Sequence, residues 1–201
     1  MKTLKIIFIT LLAIHCKAQT PIIDVIGTRM DQPDGYYVKD INSLLNPFDG
    51  TYIYINGTTS FKMILVKKVQ QFNGRYYEDL IIGEYQYIEN GVEKANTLSQ
   101  INTVYNDQRS HNIDGNFVVN NNFREWKCPL CDPNEKRLSL SIRDAATDNY
   151  AHIGMRRTTE SGQEVMKIKI SHVSAQSYNV DTQPIPTNFS LLLGEFTLIK
   201  Q

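Results

Sequence analysis

The sequence predicts an all-β protein: a closed antiparallel up-and-down barrel of about eight to ten strands, with one short helical turn before the first strand. Three observations lead there. Asn56-Gly57, Asn73-Gly74 and Asn90-Gly91 lie 17 residues apart, twice in succession, and Asn-Gly is the strongest short-range hairpin signal because a type I′ turn needs φ > 0 at both central residues. Alternation with period 2 runs through the later sequence, so that Leu138, Leu140 and Ile142 share one face, as do Met166, Ile168 and Ile170. Only one stretch, "KDINSLLNPFDG", reads as helical, and only for a turn.

The chain opens "MKTLKIIFITLLAIHCKAQT". Lys2 and Lys5 form a positive start, Ile6 to Ile14 is largely apolar, and Cys16-Lys17-Ala18 sets small residues at −3 and −1 of a cleavage site. That predicts a signal peptide over residues 1 to 18, with Gln19 the first mature residue and a secreted or periplasmic product. The run is too short to span a hydrocarbon core of about 30 Å, so no transmembrane segment is expected. Lipidation at Cys16, giving an outer-membrane lipoprotein, is the alternative; bulky Ile14 and His15 before the cysteine count against it. Loss of Lys2, Lys5 and Lys17 leaves 18 basic against 21 acidic groups, a net charge of −3. Nucleic acid is thereby excluded as the expected partner, since it needs a clustered positive surface.

Residues 19 to 39 read as an N-terminal leader with a turn at Pro33-Asp34-Gly35, and residues 40 to 201 as a single barrel domain. Asp40 is expected to cap the helical turn, which should end before Pro47 because the residue preceding a proline is pushed from the α region. Four strands then follow around the three Asn-Gly turns, with Gly83 expected at a bulge. Residues 99 to 122 are polar and rich in Asn. They suggest a long loop around a short strand near "NFVVN", with Asp114-Gly115 a turn. Beyond the cysteines come "RLSLSIRD" and "YAHIGMRRT", a turn at Ser161-Gly162, "EVMKIKISHV", a proline-containing loop and a terminal "LLLGEFTLIKQ". Consecutive hairpins favour a closed barrel over a sandwich, which usually needs Greek-key crossovers.

The stretch "NPFDGTYIYINGTTSFKMILVKK" resembles the opening strand of a lipocalin or related calycin barrel. In those proteins a helical turn leads into Gly-x-Trp, here Gly50-Thr51-Tyr52, and the meander closes round a ligand cavity. The mature chain is also similar, through "DINSLLNPFDGTY", "NGRYYEDLIIGEYQYIENGVEK" and "GEFTLIK", to an uncharacterised family of small secreted bacterial proteins. That resemblance supports the architecture and implies no activity.

Two features remain as candidate sites. Cys128-Pro129-Leu130-Cys131 is a CxxC pair, and loss of Cys16 with the signal leaves the count even. A thioredoxin-type centre needs its first cysteine at a helix N-terminus, whereas "CDPNEKRLSLSIRD" runs straight into a strand. Zinc needs a second ligand pair, and His111, His152 and His172 are not spaced as one. A disulfide between Cys128 and Cys131 that pins a surface turn is therefore expected, with no metal and no cofactor. The second feature is Tyr52, Tyr54, Tyr85 and Tyr87. Each pair is spaced i, i+2 and points to one face, fit to line a cavity for a small apolar or amphipathic ligand; equally, tyrosine is simply a favoured strand residue. No catalytic motif is present, so a non-catalytic binding protein is expected, its ligand or envelope partner unspecified. A thiol or metal enzyme at the CPLC, or a structural envelope component, is the alternative. Asp144 and Asp148 read as solvated loop.

Overall fold

The computed structural model describes residues 20–26, 32–121, 126–175 and 188–201. The signal expected over residues 1 to 18, including Cys16, the mature start at Gln19, and nearly all of the proline-containing loop lie outside the described residues. Eleven strands occur among the described residues: β1 (Ile22–Asp24), β2 (Tyr37–Lys39), β3 (Gly50–Asn56), β4 (Thr59–Phe72), β5 (Tyr77–Glu89), β6 (Val92–Asn96), β7 (Ile113–Asn120), β8 (Lys136–Arg143), β9 (Asn149–Glu160), β10 (Gln163–Ala175) and β11 (Gly194–Lys200). The helical structure described is three short 3-10 turns, Asn46–Phe48, Leu98–Asn102 and Gln108–Ser110. Eight strands close an antiparallel barrel in the order β5-β4-β3-β11-β10-β9-β8-β7, with β7 returning to β5. First and last barrel strands meet through Ile53 with Ile199 and Tyr52 with Lys200. This is the predicted all-β barrel, compatible with a lipocalin-like arrangement.

The turn residues act by different geometries. Asn90-Gly91 and Ser161-Gly162 have positive φ at both positions, as a type I′ hairpin requires. At the first turn Asn56 instead pairs with Thr59, so the loop is Gly57-Thr58 and only the glycine is left-handed. At the second, the Asn73 side chain accepts from the N–H groups of Arg75 and Tyr76, the turn-forming habit of Asn.

Three local expectations are corrected. Gly83 is no bulge: it pairs regularly with Leu65 on one side and Ile113 on the other. A Cβ there would stand 2.6 Å from Leu65 Cδ2 and 2.9 Å from the Ile64 carbonyl oxygen, so glycine is required by the close approach of three strands. The bulge falls instead between Lys68 and Gln71, where Asp79 fills the irregularity by accepting from Gln70 N at 2.9 Å. Asp114-Gly115 lies inside β7, not at its turn. Asp40 accepts from Leu44 N at 2.7 Å and Leu45 N at 2.9 Å but does not cap the 3-10 turn, which starts after Leu45 with no side-chain cap and includes Pro47. Proline's fixed φ suits the first turn of a helix, and Pro47 is the second residue here.

Alternate positions face inward. Tyr52, Phe61, Met63, Leu65, Tyr85, Leu138, Ile153, Met166 and Ile168 form one continuous core, each fully buried side chain contributing about 1.5 to 3 kcal/mol of transfer free energy. Strand β5 is buried on both faces over most of its length. Its outer carboxylates explain why the polar segment from 97 to 112 folds over it. Glu84 meets His111 Nδ1 and Asn112 Nδ2, each at 2.7 Å, and Glu78 takes a two-pronged contact from Arg109. Buried charges must be paired, and these residues supply the pairs.

Residues 20–26 and 32–39, within the expected leader, join the sheet. Pairing between β5 and β7 covers only Ile81 to Gly83 against Ile113 to Gly115. Beyond that β2 runs parallel along the start of β5, β1 runs parallel along β2, and a bridge joins Ile26 to Val118 of β7. The two short strands thus wedge the barrel open at one end. Because barrel diameter grows with strand number, eight strands leave an interior that side chains just fill, and Val25, Val38 and Tyr76 extend that packed core at the wedge.

Candidate functional site

A cavity of about 680 Å³ lies along the β7–β8–β9–β10 wall and reaches Val25 and Val38 of the wedge. The register explains its polar face. Asp114 stands opposite Ser141, Ser141 opposite His152, and His152 opposite Ser171, one row across four strands. Neighbouring strands are about 4.8 Å apart, so the row is continuous. These residues lie on the opposite face of the strands from Leu140, Ile142, Ile153 and Ile170, whose burial in the core fixes which side points out. Two positions along β8, Ser139 Oγ shares a hydrogen bond of 2.5 Å with His152 Nε2.

Trp126, Phe117 and Val119 supply apolar surface to the same cavity. Trp126 is held by Arg137, whose guanidinium donates to the Trp126 carbonyl and sits 5.2 Å from the ring centroid. Arg137 Nε also contacts Glu135 Oε1 at 2.8 Å, and Glu135 receives Arg156 at 2.9 and 2.8 Å. Burial opposes the charge on Glu135, but the two guanidiniums outweigh it and hold its carboxyl below the usual range. Asp114 is the opposite case. Burial pushes its carboxyl up to about 7, with Arg109 only partly offsetting the effect.

The Cys128–Cys131 disulfide is present, with Cα atoms 5.3 Å apart. Asn121 Nδ2 is within 3.2 Å of the carbonyls of Cys128, Cys131 and Asp132, so one amide ties the cystine turn to the end of β7. The disulfide steadies the loop that carries Trp126.

The four tyrosines are elsewhere. None belongs to the lining of this cavity. Tyr52, Tyr85 and Tyr87 are fully buried, and Tyr54 packs edge-on to Phe196 at 5.3 Å. Tyr85 donates to the Arg143 carbonyl at 2.8 Å and accepts from Ala145 N, and Tyr87 donates to Glu89 at 3.1 Å. Burial raises Tyr52 and Tyr87 to about 12. Asp144 is also displaced from expectation: it is fully buried, accepting from Ser190 N at 2.5 Å, Ser190 Oγ at 2.8 Å, Ala146 N at 2.9 Å and Thr147 Oγ1 at 2.8 Å. It is the joint between the β8–β9 turn and the approach to β11.

Chemically, Ser139 and His152 are at nucleophile–base distance. Acyl transfer needs in addition N–H donors aimed at a developing oxyanion. Strands β8 and β9 have hydrogen-bonded neighbours on both edges, which commits their N–H groups to the ladders. The arrangement suits holding polar groups of a ligand. Among the described residues there is no group of three His, Cys, Asp or Glu able to hold a metal, and no helix long and apolar enough to cross a membrane.

Sequence reasoning missed Asp114, Ser139, His152 and Trp126 as a set, because cross-strand register brings them together. One signal was available: Trp126 is the single Trp of the chain and stands two residues before Cys128. No curated protein and no solved structure matches the chain. A family model matches residues 1–201 throughout, and the chain belongs to that family, the family of unknown function DUF6705.

Proposed function

We propose that this is a non-catalytic binding protein that carries a small amphipathic ligand in the cavity beside Trp126. The observation that carries the reading is the cavity itself. Its volume of about 680 Å³ lies within the roughly 300–1,000 Å³ of small-molecule sites, and it joins apolar walls to a few convergent polar groups. The tyrosines serve this reading as the packed core behind the wall. Export by a signal peptide over residues 1 to 18 fits the cystine, since disulfides persist in oxidising compartments.

Native mass spectrometry of the purified full chain, alone and with Gly154→Leu, tests the reading. A small-molecule adduct on the wild type that is lost from a still cooperatively folding Gly154→Leu variant is the expected result. No adduct on the wild type, or one indifferent to the filled cavity, rejects it.

A further inference from the structure

Arg137 is the charged group of the cavity with unmet bonding capacity. Its side chain is 3% exposed, yet among the described residues Nη2 has no hydrogen-bond partner. Nε and Nη1 are committed to Glu135 and the Trp126 carbonyl. A guanidinium is always charged and has five N–H donors, and native structures leave few buried donors unmet. The local charge is unbalanced too. Among the described residues, Glu135 is shared between Arg137 and Arg156, one carboxylate against two guanidiniums. Elsewhere in the lining the cations are matched, Arg109 by Glu78 and Lys169 by Glu195.

From this geometry we infer that the ligand is an amphipathic monocarboxylate, its acid group anchored by Arg137 and its apolar body lying along Trp126, Phe117 and Val119. One surplus positive charge and one open nitrogen match a single-charged acceptor better than a doubly charged phosphate. The direction follows from Asp114. It stands at the row of Ser141, four residues along β8 from Arg137, a separation of about 13 Å. A second acid there disfavours an anion, so the acid end belongs at Arg137, beside Val119 and Phe117, which pair with Arg137 and Ser139. This deepens the proposed function and rests on the cavity being a ligand site.

The test uses the full chain and three ten-carbon probes, decanoate, decanol and decylamine, followed by Trp126 emission and by calorimetry. Decanoate is expected to bind about tenfold or more tightly than decanol, with decylamine weakest; tenfold is an ordinary effect for one charge-assisted contact. Within the Arg137→Gln protein the decanoate-to-decanol preference should fall to about one, while Arg137→Lys recovers part of it. The wild-type probe series needs no variant, so misfolding of an Arg137 variant leaves the test intact. Equal affinity for decanoate and decanol overturns the carboxylate anchor. Absence of binding by all three also overturns it, and leaves the cavity reading to the adduct experiment above.

Discussion

Trp126 lies against Gly154: a Cβ built on the glycine would stand 3.3 Å from Cε3 of the indole. This contact couples the cystine loop to the centre of β9, and it exists because residue 154 has no side chain. Gly154→Ala should be nearly neutral, within about 1 kcal/mol, because the entropy regained by removing a strand glycine offsets a tight contact. Gly154→Val should displace the ring. Urea unfolding monitored by Trp emission distinguishes them, the valine variant alone showing a red-shifted native spectrum.

Gly83 faces a stricter demand. Its missing side chain admits Leu65 and the Ile64 carbonyl at once, and a backbone oxygen cannot rotate aside. Gly83→Ala should cost about 1 to 3 kcal/mol by overpacking. The midpoint of chemical denaturation should fall with an unchanged m-value; a midpoint equal to wild type would show that the three strands are not packed as tightly as described.

What the sequence revealed follows the range of the interactions. Strands β3 to β6 were legible because Asn73, Asn90 and their glycines act within a few residues, and alternation in β8 and β10 exposed their core faces directly. Strands β1 and β2 were not, since three-residue strands owe their pairing to β5 and β7. Asp144 looked like solvated loop because its partners Ala146 and Thr147 are local while Ser190 is 46 residues away. Tyr52 with Tyr54, and Tyr85 with Tyr87, share a face by their i, i+2 spacing, but period 2 cannot tell whether an inward face meets a void or other side chains.

The cystine should contribute little to global stability. Closing so short a loop constrains the unfolded chain by only about 2 kcal/mol. The double variant Cys128→Ser with Cys131→Ser should therefore lose no more than that in chemical denaturation and retain its far-ultraviolet dichroism. Its effect belongs on Trp126, whose quenching by acrylamide should increase. Collapse of the barrel on this substitution would contradict the assignment of the cystine to the loop alone.

Asp144→Ala should be far more damaging. It strands the N–H groups of Ser190 and Ala146 and unfastens the lead-in to β11, the strand that closes the barrel onto β3. A loss of about 3 kcal/mol is expected. Burial works against the Asp144 charge, yet the bonds from Ser190, Ala146 and Thr147 lower its pKa below 3.8. Its contribution is thus complete above the unfolded value and lost as pH falls through the folded one. Wild type and variant should converge in stability under strong acid; a constant gap down to that range would assign the loss to packing instead.

Asp114 has the reverse sign. Its folded pKa of about 7 exceeds the unfolded 3.8, chiefly through burial. Between those values the folded state holds the proton that the unfolded state has released, so stability declines as pH rises across the window. Asp114→Asn mimics the protonated form and removes that slope. The variant should match wild type near pH 4 and exceed it by roughly 1 to 2 kcal/mol above pH 7, since solvent at the cavity rim screens part of the nominal conversion of 1.36 kcal/mol per unit. Stability curves measured by urea titration from pH 4 to 8 decide the matter. Parallel curves for the two proteins would mean that the Asp114 carboxylate is ionised in the folded state throughout, so that burial does not hold its proton.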